Sequence, residues 1–352
     1  MPQSRLRGTS RVIQSRAEEE RGFVRKITAL ATAAGLLVAL TACTTSAPSG
    51  DCTPTPTTDD ASSLVTASGD FGADPEATFP KPIVTKNLQV SELSKGKGAV
   101  IYPGQYALMQ VSLYDATTGG SSGSSGYDES TPFMVRAGDS KSNFGLTVEC
   151  RTVGSRIVTV LTGKDLIGFQ GVTKDSIGDN STATFVAVID IQGSVLGKAY
   201  GAQQVPQQGM PSVVTTPDGV PGLTIPSGKA PTTLKTAVLQ QGDGKKVAEG
   251  DTIYLHYLRV DWDDHDILKS TWGTLDGEEG LPQEILVSPI DKTTGAGMTA
   301  GLLAAVKGQR VGTQVLAVVP PAFGFPQGLE PSGVNPDGTL VYVLDILGIK
   351  SK

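Results

Sequence analysis

The chain has 352 residues and a formal net charge of −6, because 35 acidic residues outnumber 29 basic ones. A nucleic-acid-binding surface normally carries a basic patch, so this balance argues against nucleic acid as a partner. Three cysteines and two histidines are too few for a zinc cluster, and we expect no metal site and no cofactor.

Residues 1–42 have the features of a secretory signal peptide. Arg25 and Lys26 precede an apolar run that, at about 14 residues, is shorter than the roughly 20 needed to span a bilayer. The run ends in Leu-Thr-Ala-Cys43, which resembles a bacterial lipobox and implies lipidation of Cys43. Acyl chains would then anchor the protein to the outer face of the cell membrane. An ordinary cleaved signal is the alternative, and Val24 is an alternative start to Met1.

Two segments are rich in Thr, Ser, Pro, Asp and Gly and lack hydrophobic periodicity. Residues 43–82 are predicted to form a lipidated flexible stalk. Residues 196–231, which contain Pro217-Asp218-Gly219, are predicted to form a linker with turns. The stretches 83–195 and 232–352 remain as candidate domains, as the length of the chain suggests.

Two cysteines, Cys52 and Cys150, follow the predicted signal peptide and lipidation site. An exported protein meets an oxidising compartment, so an even pair favours a disulfide that joins the N-terminal arm to the first domain. Two free thiols are the alternative.

The two candidate domains contain matching segments in the same order. Residues 184–193 and 339–348 are identical at six of ten positions, and residues 153–160 match 311–318. This pattern indicates a domain duplication, because the period is far longer than a solenoid repeat.

Each copy combines several strand-forming runs with one helical stretch. In the second copy, 252–258, 314–319 and 340–347 are β-branched and aromatic runs bounded by Gly or Pro. The segment between Gly297 and Gly308 has helical character. We therefore expect an α+β fold with two domains, each a curled antiparallel β-sheet around one short helix.

The second copy resembles the FKBP family of peptidyl-prolyl cis-trans isomerases along its length. The motifs that carry the resemblance are Gly250-Asp251, His256-Tyr257, residues 268–272 (Phe-Asp-Ser-Ser-Trp in the family), residues 282–285 (Pro-Phe-x-Phe), residues 298–302 (Val-Ile-x-Gly-Trp), Val311-Gly312, residues 321–326 (Pro-x-x-x-Tyr-Gly) and residues 339–342 (Thr-Leu-x-Phe).

The resemblance implies a prolyl pocket in the second copy. Its catalytic positions are Tyr257, Leu302, Phe325 and Tyr342, and its substrate-binding positions are Leu268, Lys269, Ile285, Met298, Thr299 and Val334. Three departures weaken the polar part of this pocket: Leu302 replaces a tryptophan, Lys269 an aspartate and Phe325 a tyrosine. The alternatives are that Tyr257 and Tyr342 belong to an ordinary sheet core and that Lys269 is a solvated loop residue.

The first copy is more degenerate. Tyr127 and Phe133 are its candidate substrate contacts and Asp128 its candidate catalytic residue, although Asp128 also suits a turn. The two histidines, His256 and His265, are predicted to be surface residues.

We predict a weak peptidyl-prolyl isomerase that acts on proline-containing exported polypeptides at the outer face of the membrane, as a monomer. The alternative is a catalytically degenerate chaperone or peptide-binding lipoprotein of the same fold.

Overall fold

The computed structural model describes residues 44–45, 47–54, 60–127, 132–167, 169, 172–273 and 280–350. The chain divides into two units, Met1–Thr45 and Ser46–Lys352. A short strand, β1 (Thr44–Thr45), lies in the first unit. Among the described residues, no helix is both long and apolar enough to cross a membrane. Cys43 lies outside the described residues.

The first sheet has six strands within the described residues, in the spatial order β4-β8-β9-β5-β6 with β7 also paired to β5. Their bounds are β4 (Gln89–Ser94), β5 (Tyr106–Asp115), β6 (Ser121–Ser124), β7 (Phe133–Arg136), β8 (Arg156–Thr162) and β9 (Thr184–Val195). All the pairs are antiparallel. Val, Ile and Leu dominate β8 and β9, so both faces of these central strands are apolar and buried.

The second sheet is built in the same way, with the order β10-β13-β17-β18-β14-β15 and β16 also paired to β14. Its strands are β10 (Gly201–Gln203), β13 (Lys235–Gln241), β14 (Thr252–Asp261), β15 (Ile267–Ser270), β16 (Gln283–Leu286), β17 (Gln314–Val319) and β18 (Leu340–Ile349). Two hairpins complete the strands: β2 (Thr66–Ser68) with β3 (Glu76–Thr78), and β11 (Ser212–Thr215) with β12 (Pro221–Thr224).

The described helices are short. They are α1 (Asp60–Ser63), α2 (Asn143–Val148), α3 (Lys174–Ile177) and α4 (Ala300–Val306), with 3-10 turns η1 (Gly163–Leu166), η2 (Gly178–Thr182) and η3 (Pro321–Phe323). Helices α2 and α4 each cover the inner face of one sheet, where Phe144 and Val148, or Ala305 and Val306, join the core. This arrangement is the α+β type expected from the sequence.

The two sheets share details that a common strand order alone would not require. Asp190 pairs with Gln110 in the first sheet, and the matching Asp345 pairs with His256 in the second. The ladders shift register at corresponding positions, between Leu113 and Tyr114 and between Arg259 and Val260. β-Bulges are local features of a backbone, so matching bulges place the two copies in one structural alignment.

The predicted flexible stalk differs from the structure beyond residue 59. Helix α1 and the β2–β3 hairpin bring Val65, Phe79 and Ile83 onto the outer face of the first sheet, where all three are buried. Short polar strands have too little periodicity to be recognised in the sequence, and here packing on Val158 and Val160 gives them their order.

The predicted linker is likewise structured. Strand β10 pairs with β13, and the β11–β12 hairpin packs Val213 and Leu223 on the outer face of the second sheet beside Trp262. Each sheet is therefore covered on its outer face by a hairpin that precedes it in the chain. The boundaries of the two candidate domains remain a prediction.

The two sheets contact each other through a shared cluster. Tyr106, Val195, Tyr254 and Leu347 are buried together. His256 lies in the same region with 1% of its surface exposed, so its predicted position at the surface is wrong. The reason is that β14 packs on both faces.

A disulfide joins Cys52 and Cys150, whose Cα atoms are 5.3 Å apart, within the usual range for this bond. It links the segment before α1 to the residue that follows α2. Because the two cysteines are 98 residues apart, the bond closes a large loop.

Candidate functional site

The candidate site lies on the inner face of the second sheet, beside α4. Along β14 the side chains alternate, so Ile253, Leu255 and Tyr257 contact the inner core while Leu258 and Val260 contact the outer one. Helix α4 begins at an N-cap, Thr299, whose hydroxyl accepts a hydrogen bond from the N–H of Leu302 at 3.3 Å.

A glycine allows α4 to approach the sheet. A Cβ added at Gly301 would lie 2.6 Å from Cγ1 of Val319 on β17. Any larger residue would therefore displace the helix and the side chain that follows, Leu302. Packing of α4 fixes Leu302 at the inner face, where it is half-buried against the core.

A group of half-buried apolar side chains lines this face. Its members come from strands, from α4 and from the loop after η3, and they are Tyr257, Leu268, Ile285, Leu302, Phe325 and Val334. Each matches a position that the sequence assigned to the pocket. An apolar surface of half-buried side chains over a closed core is suited to take a small apolar ring.

Tyr342 is a core residue with 1% of its surface exposed. Burial raises its pKa to about 12, while the positive charge of Arg259 acts in the opposite direction. Its buried hydroxyl lies beside the guanidinium of Arg259. Burial also raises the pKa of Tyr257, whose hydroxyl lies 3.4 Å from Oε1 of Gln283.

Arg259 is a site residue that the sequence did not single out. It follows Tyr257 by two positions on β14, and it pairs with Tyr342 across the sheet. Its guanidinium carbon lies 5.6 Å from the centre of the Phe325 ring, within the range of a cation–π contact. Because side chains alternate between the two faces of β14, the sequence could have placed Arg259 on this face. The sequence pattern does not show how deeply its side chain is buried.

Lys269 lies beside Arg259. The bulge between β14 and β15 sets Leu268 and Lys269 against the single residue Arg259. Among the described residues, neither cation takes part in an ion pair. Lys269, at the position where the resemblance expected an aspartate, thus places a second positive charge beside Arg259.

Two predicted substrate contacts are buried instead. Met298 and Thr299 are each 2% exposed, and Thr299 uses its hydroxyl as the helix cap. Neither side chain reaches the surface of the pocket. The parallel bridge between Pro289 and Met298 draws this segment into the core.

The first copy forms a different inner face. Phe133 is half-buried there, and its ring meets that of Phe169 edge to face at 5.4 Å. Phe144 of α2 stacks on Phe169 with centroids 3.9 Å apart. The sequence did not identify Phe144 or Phe169 as site residues, because neither falls at a motif position.

Tyr127 is not part of that face. Its hydroxyl lies 3.5 Å from the carbonyl oxygen of Val188, a residue of the outer face. Burial, followed by the charge of Asp190, raises its pKa. Tyr127 lies beyond the end of β6 with a φ of 50°, and its contact with the outer face differs from the substrate contact that the sequence predicted. Asp128 lies outside the described residues.

Over the described part of the chain, no group of three or more His, Cys, Asp or Glu side chains is placed to hold a metal ion. Asp261 instead accepts hydrogen bonds from the backbone N–H groups of Asp263 and Asp264 at 2.8 and 3.1 Å. The acidic run 261–266 is thus organised around a turn of the backbone.

Comparison with known proteins finds a relative. A probable FK506-binding protein of Corynebacterium glutamicum is 27% identical over 128 residues, which are 36% of this chain and 96% of that protein. The comparison supports the FKBP-type peptidyl-prolyl isomerase family. No family model matches the chain.

Solved structures with some likeness include FkpA from Escherichia coli, at 20% identity and a TM-score of 0.28, where this chain spans 53% of that chain and 41% of its own length. The three FKBP domains of wheat FKBP73 give 13% identity and a TM-score of 0.29, over 76% of this chain and 96% of that one. A putative peptidyl-prolyl cis-trans isomerase FKBP12 from Mycobacterium tuberculosis gives 24% identity and a TM-score of 0.24, over 35% and 89%.

Proposed function

We propose that this protein is an FKBP-type peptidyl-prolyl cis-trans isomerase whose working site is the apolar pocket of the second sheet. The observation that carries the proposal is the set of half-buried side chains, from Tyr257 to Phe325, that covers the inner core beside α4. The similarity to a probable FK506-binding protein supports the same reaction.

The reaction needs no covalent chemistry. Rotation about a peptide bond has a barrier of about 18–20 kcal/mol, because the planar amide is stabilised by resonance. A pocket that takes the prolyl ring and removes water from the amide disfavours its polar planar form. A hydrogen-bond donor fixed near the twisted carbonyl lowers the barrier further. Leu302 and Ile285 offer the apolar surface, and the hydroxyl of Tyr257 and the guanidinium of Arg259 are the donors nearest to it.

We propose that the activity is weak. Phe325 has no hydroxyl to donate, and Leu302 is a smaller platform than an indole. Loss of one transition-state donor costs about 2.7–4 kcal/mol in other enzymes. A pocket that lacks one donor and one aromatic ring would therefore retain only part of the rate.

The first copy is proposed to have a structural or binding role. Its Phe144 and Phe169 rings stack with centroids 3.9 Å apart, a separation that leaves no space for a pyrrolidine ring between them. Phe144 is 1% exposed. The copy thus fills its own inner face.

A non-catalytic peptide-binding protein or chaperone is the second candidate. Lys269 favours it, because it replaces an acidic group by a second cation beside Arg259. Such a pocket would hold a proline-containing segment without a large effect on its rate of rotation.

We further propose that the protein acts on exported, proline-containing polypeptides as a monomer, anchored through a lipid on Cys43 at the outer face of the membrane. The support is the signal-like N-terminal sequence together with the Cys52–Cys150 disulfide, a bond that persists in oxidising compartments. Replacement of Cys43 by Ala should release the protein or block its maturation. Normal maturation with retention in the membrane would contradict the anchor.

A gain of function tests the proposed reaction. The double substitution Leu302→Trp with Lys269→Asp restores the ring platform and the acidic group, and it should raise the rate of cis–trans exchange in a proline tetrapeptide. NMR measures the rate of this exchange in the presence of the intact protein. Leu146 follows Gly145 on α2 as Leu302 follows Gly301 on α4, so the control Leu146→Trp in the first copy should leave the rate unchanged. A double variant that is folded and no faster than the wild type would favour the non-catalytic candidate.

A further inference from the structure

We infer that the pocket of the second sheet selects prolyl peptides that carry a carboxylate beside the proline. Arg259 carries this inference. Its side chain is 94% buried, since 6% of its surface is exposed, and its Nε makes no hydrogen bond with any residue between 44 and 350 that the structure describes. The inference rests on the proposed function, because it names the substrate class of the same pocket.

A buried guanidinium without an anion is costly to the folded protein. Arginine stays charged at any pH that the protein survives, and a buried charge is normally paired or hydrogen-bonded. Here the neighbours are the ring of Phe325, with its centroid at 5.6 Å, and Tyr342 across the ladder. An aromatic face offsets only part of the lost hydration.

The hydroxyl of Tyr342 is buried beside this guanidinium and interacts with it. A phenol oxygen is a neutral acceptor, so it does not balance the charge of Arg259. The Nε of Arg259 and the O–H of Tyr342 remain as two neighbouring buried donors on the inner face. A carboxylate accepts several hydrogen bonds at once and matches the planar fork of a guanidinium.

Lys269 adds a second positive charge beside the guanidinium of Arg259. It pairs with Arg259 on the neighbouring strand, and like charges directly opposite each other destabilise a sheet. No ion pair within the described residues includes either cation. The repulsion is relieved when an anion lies between them.

The first copy shows that the fold does not need this arginine. Leu113 stands at the position of Arg259 and Ala187 at that of Tyr342, as the matching registers show. Leu113 packs against the inner core of its sheet. Leucine is thus compatible with the same backbone, and the arginine is explained by a ligand rather than by packing.

Two sources could provide the carboxylate: an acidic side chain next to the proline, or the chain end of a peptide that terminates in proline. Both place an anion a few bonds from the prolyl ring, which the apolar lining would hold. A guanidinium–carboxylate pair of good geometry fixes direction as well as affinity.

The test compares three peptides on the intact protein: acetyl-Ala-Glu-Pro-Ala-amide, its Gln analogue, and acetyl-Ala-Gln-Pro with a free carboxylate. We expect at least one acidic peptide to bind about tenfold tighter than the neutral Gln analogue, a typical gain for hydrogen bonds to a charged group. The acidic peptide that binds tighter shows whether the carboxylate comes from a side chain or from the chain end. Equal affinities for all three would overturn the inference without any variant.

Arg259→Leu supplies the second readout. It should abolish the difference in affinity between the acidic peptides and the Gln analogue, whereas Arg310→Leu, at an exposed arginine, should keep that difference. The midpoint of urea unfolding should not fall in Arg259→Leu, because the change removes an unpaired buried charge. A preserved preference in Arg259→Leu, or a fall in its stability like that of a core truncation, would contradict the role of Arg259.

Exchange rates measured on the same samples separate this inference from the proposed function. Acceleration with no acidic preference would reject the inference and keep the isomerase. An acidic preference with no acceleration would keep the inference and reject the isomerase.

Discussion

The phenolic oxygen of Tyr106 lies 3.1 Å from Nε2 of His256, and its O–H donates to the carbonyl oxygen of Gly280 at 2.9 Å. Tyr106 belongs to the first sheet and His256 to the second, so this bond joins the two. Nδ1 of His256 lies 2.8 Å from the hydroxyl of Thr271. Burial, and then the charge of Arg136, lower the pKa of His256 to about 3, which keeps the ring neutral.

The substitution Tyr106→Phe should therefore destabilise the contact between the sheets. It leaves a buried imidazole nitrogen and a carbonyl without their partner, at a cost of about 1–3 kcal/mol in the free energy of unfolding. Urea denaturation of the intact chain measures this. Tyr102→Phe is the matched control, because the Tyr102 hydroxyl bonds Gly50 at the surface. Equal effects of the two changes would show that the contact does not stabilise the protein.

A second prediction concerns pH. Asp345 is buried and accepts hydrogen bonds from the N–H of Ala199 at 2.7 Å and from Nε2 of Gln314 at 2.8 Å. Burial raises its pKa to about 6, from 3.8. Between these values the folded state holds a proton that the unfolded chain has lost, so this group makes stability fall as the pH rises.

Asp345→Asn removes that dependence. Relative to the wild type, the variant should gain stability steadily from pH 4 to pH 6, by on the order of 1–3 kcal/mol over the window. His256 contributes an opposite slope, because its lowered pKa makes stability rise with pH up to about 6.5. Both proteins contain His256, so its contribution cancels when the stability of the variant is compared with that of the wild type at each pH. A difference that stays constant across the window would mean that Asp345 titrates normally.

The equivalent change in the first sheet should behave differently. Asp190 forms a buried ion pair with Arg156, whose Nε lies 2.6 Å from Oδ1. Asp190→Asn leaves the guanidinium without its anion, and breaking a buried pair costs about 3–5 kcal/mol. Denaturation at pH 7 should show a large loss for Asp190→Asn and little or none for Asp345→Asn. The reverse order would contradict the assigned pairing.

The disulfide gives a fourth prediction. A bond that closes a loop of 98 residues restricts the unfolded chain, and removal of a native disulfide costs about 2–5 kcal/mol. The paired change Cys52→Ser with Cys150→Ser should lower the free energy of unfolding by an amount in this range. An unchanged midpoint would indicate that the N-terminal arm is held by α1 and the β2–β3 hairpin alone.

Much of the fold follows from patterns that are local in the sequence. Strands β9 and β18 are recognisable as β-branched runs, and the six identities between 184–193 and 339–348 reveal the repeat. Gly301 marks where a helix must approach a sheet closely. The covering hairpins were missed, because β2 and β11 are only three and four residues long and gain their order by packing on a sheet formed elsewhere in the chain.

The site was only partly predictable, because the sequence does not show where the strands change register. A bulge moves every following side chain to the other face of a strand, and its position is not visible in composition. A turn has a similar effect, because Tyr127, beyond the end of β6, was assigned to the pocket although its hydroxyl contacts Val188 of the outer face. Arg259 could not be predicted as a site residue, because charged residues on strands are usually exposed, whereas this one is buried in the folded protein.

The most direct test of the account is the rate of cis–trans exchange of a proline tetrapeptide with the intact chain, measured by NMR beside two matched variants. Tyr257→Ala truncates the pocket of the second sheet, and Val111→Ala truncates the corresponding position of the first. We predict a small acceleration by the wild type that Tyr257→Ala reduces and Val111→Ala retains. No acceleration by the wild type, or an acceleration lost only in Val111→Ala, would contradict the assignment of an isomerase site to the second sheet.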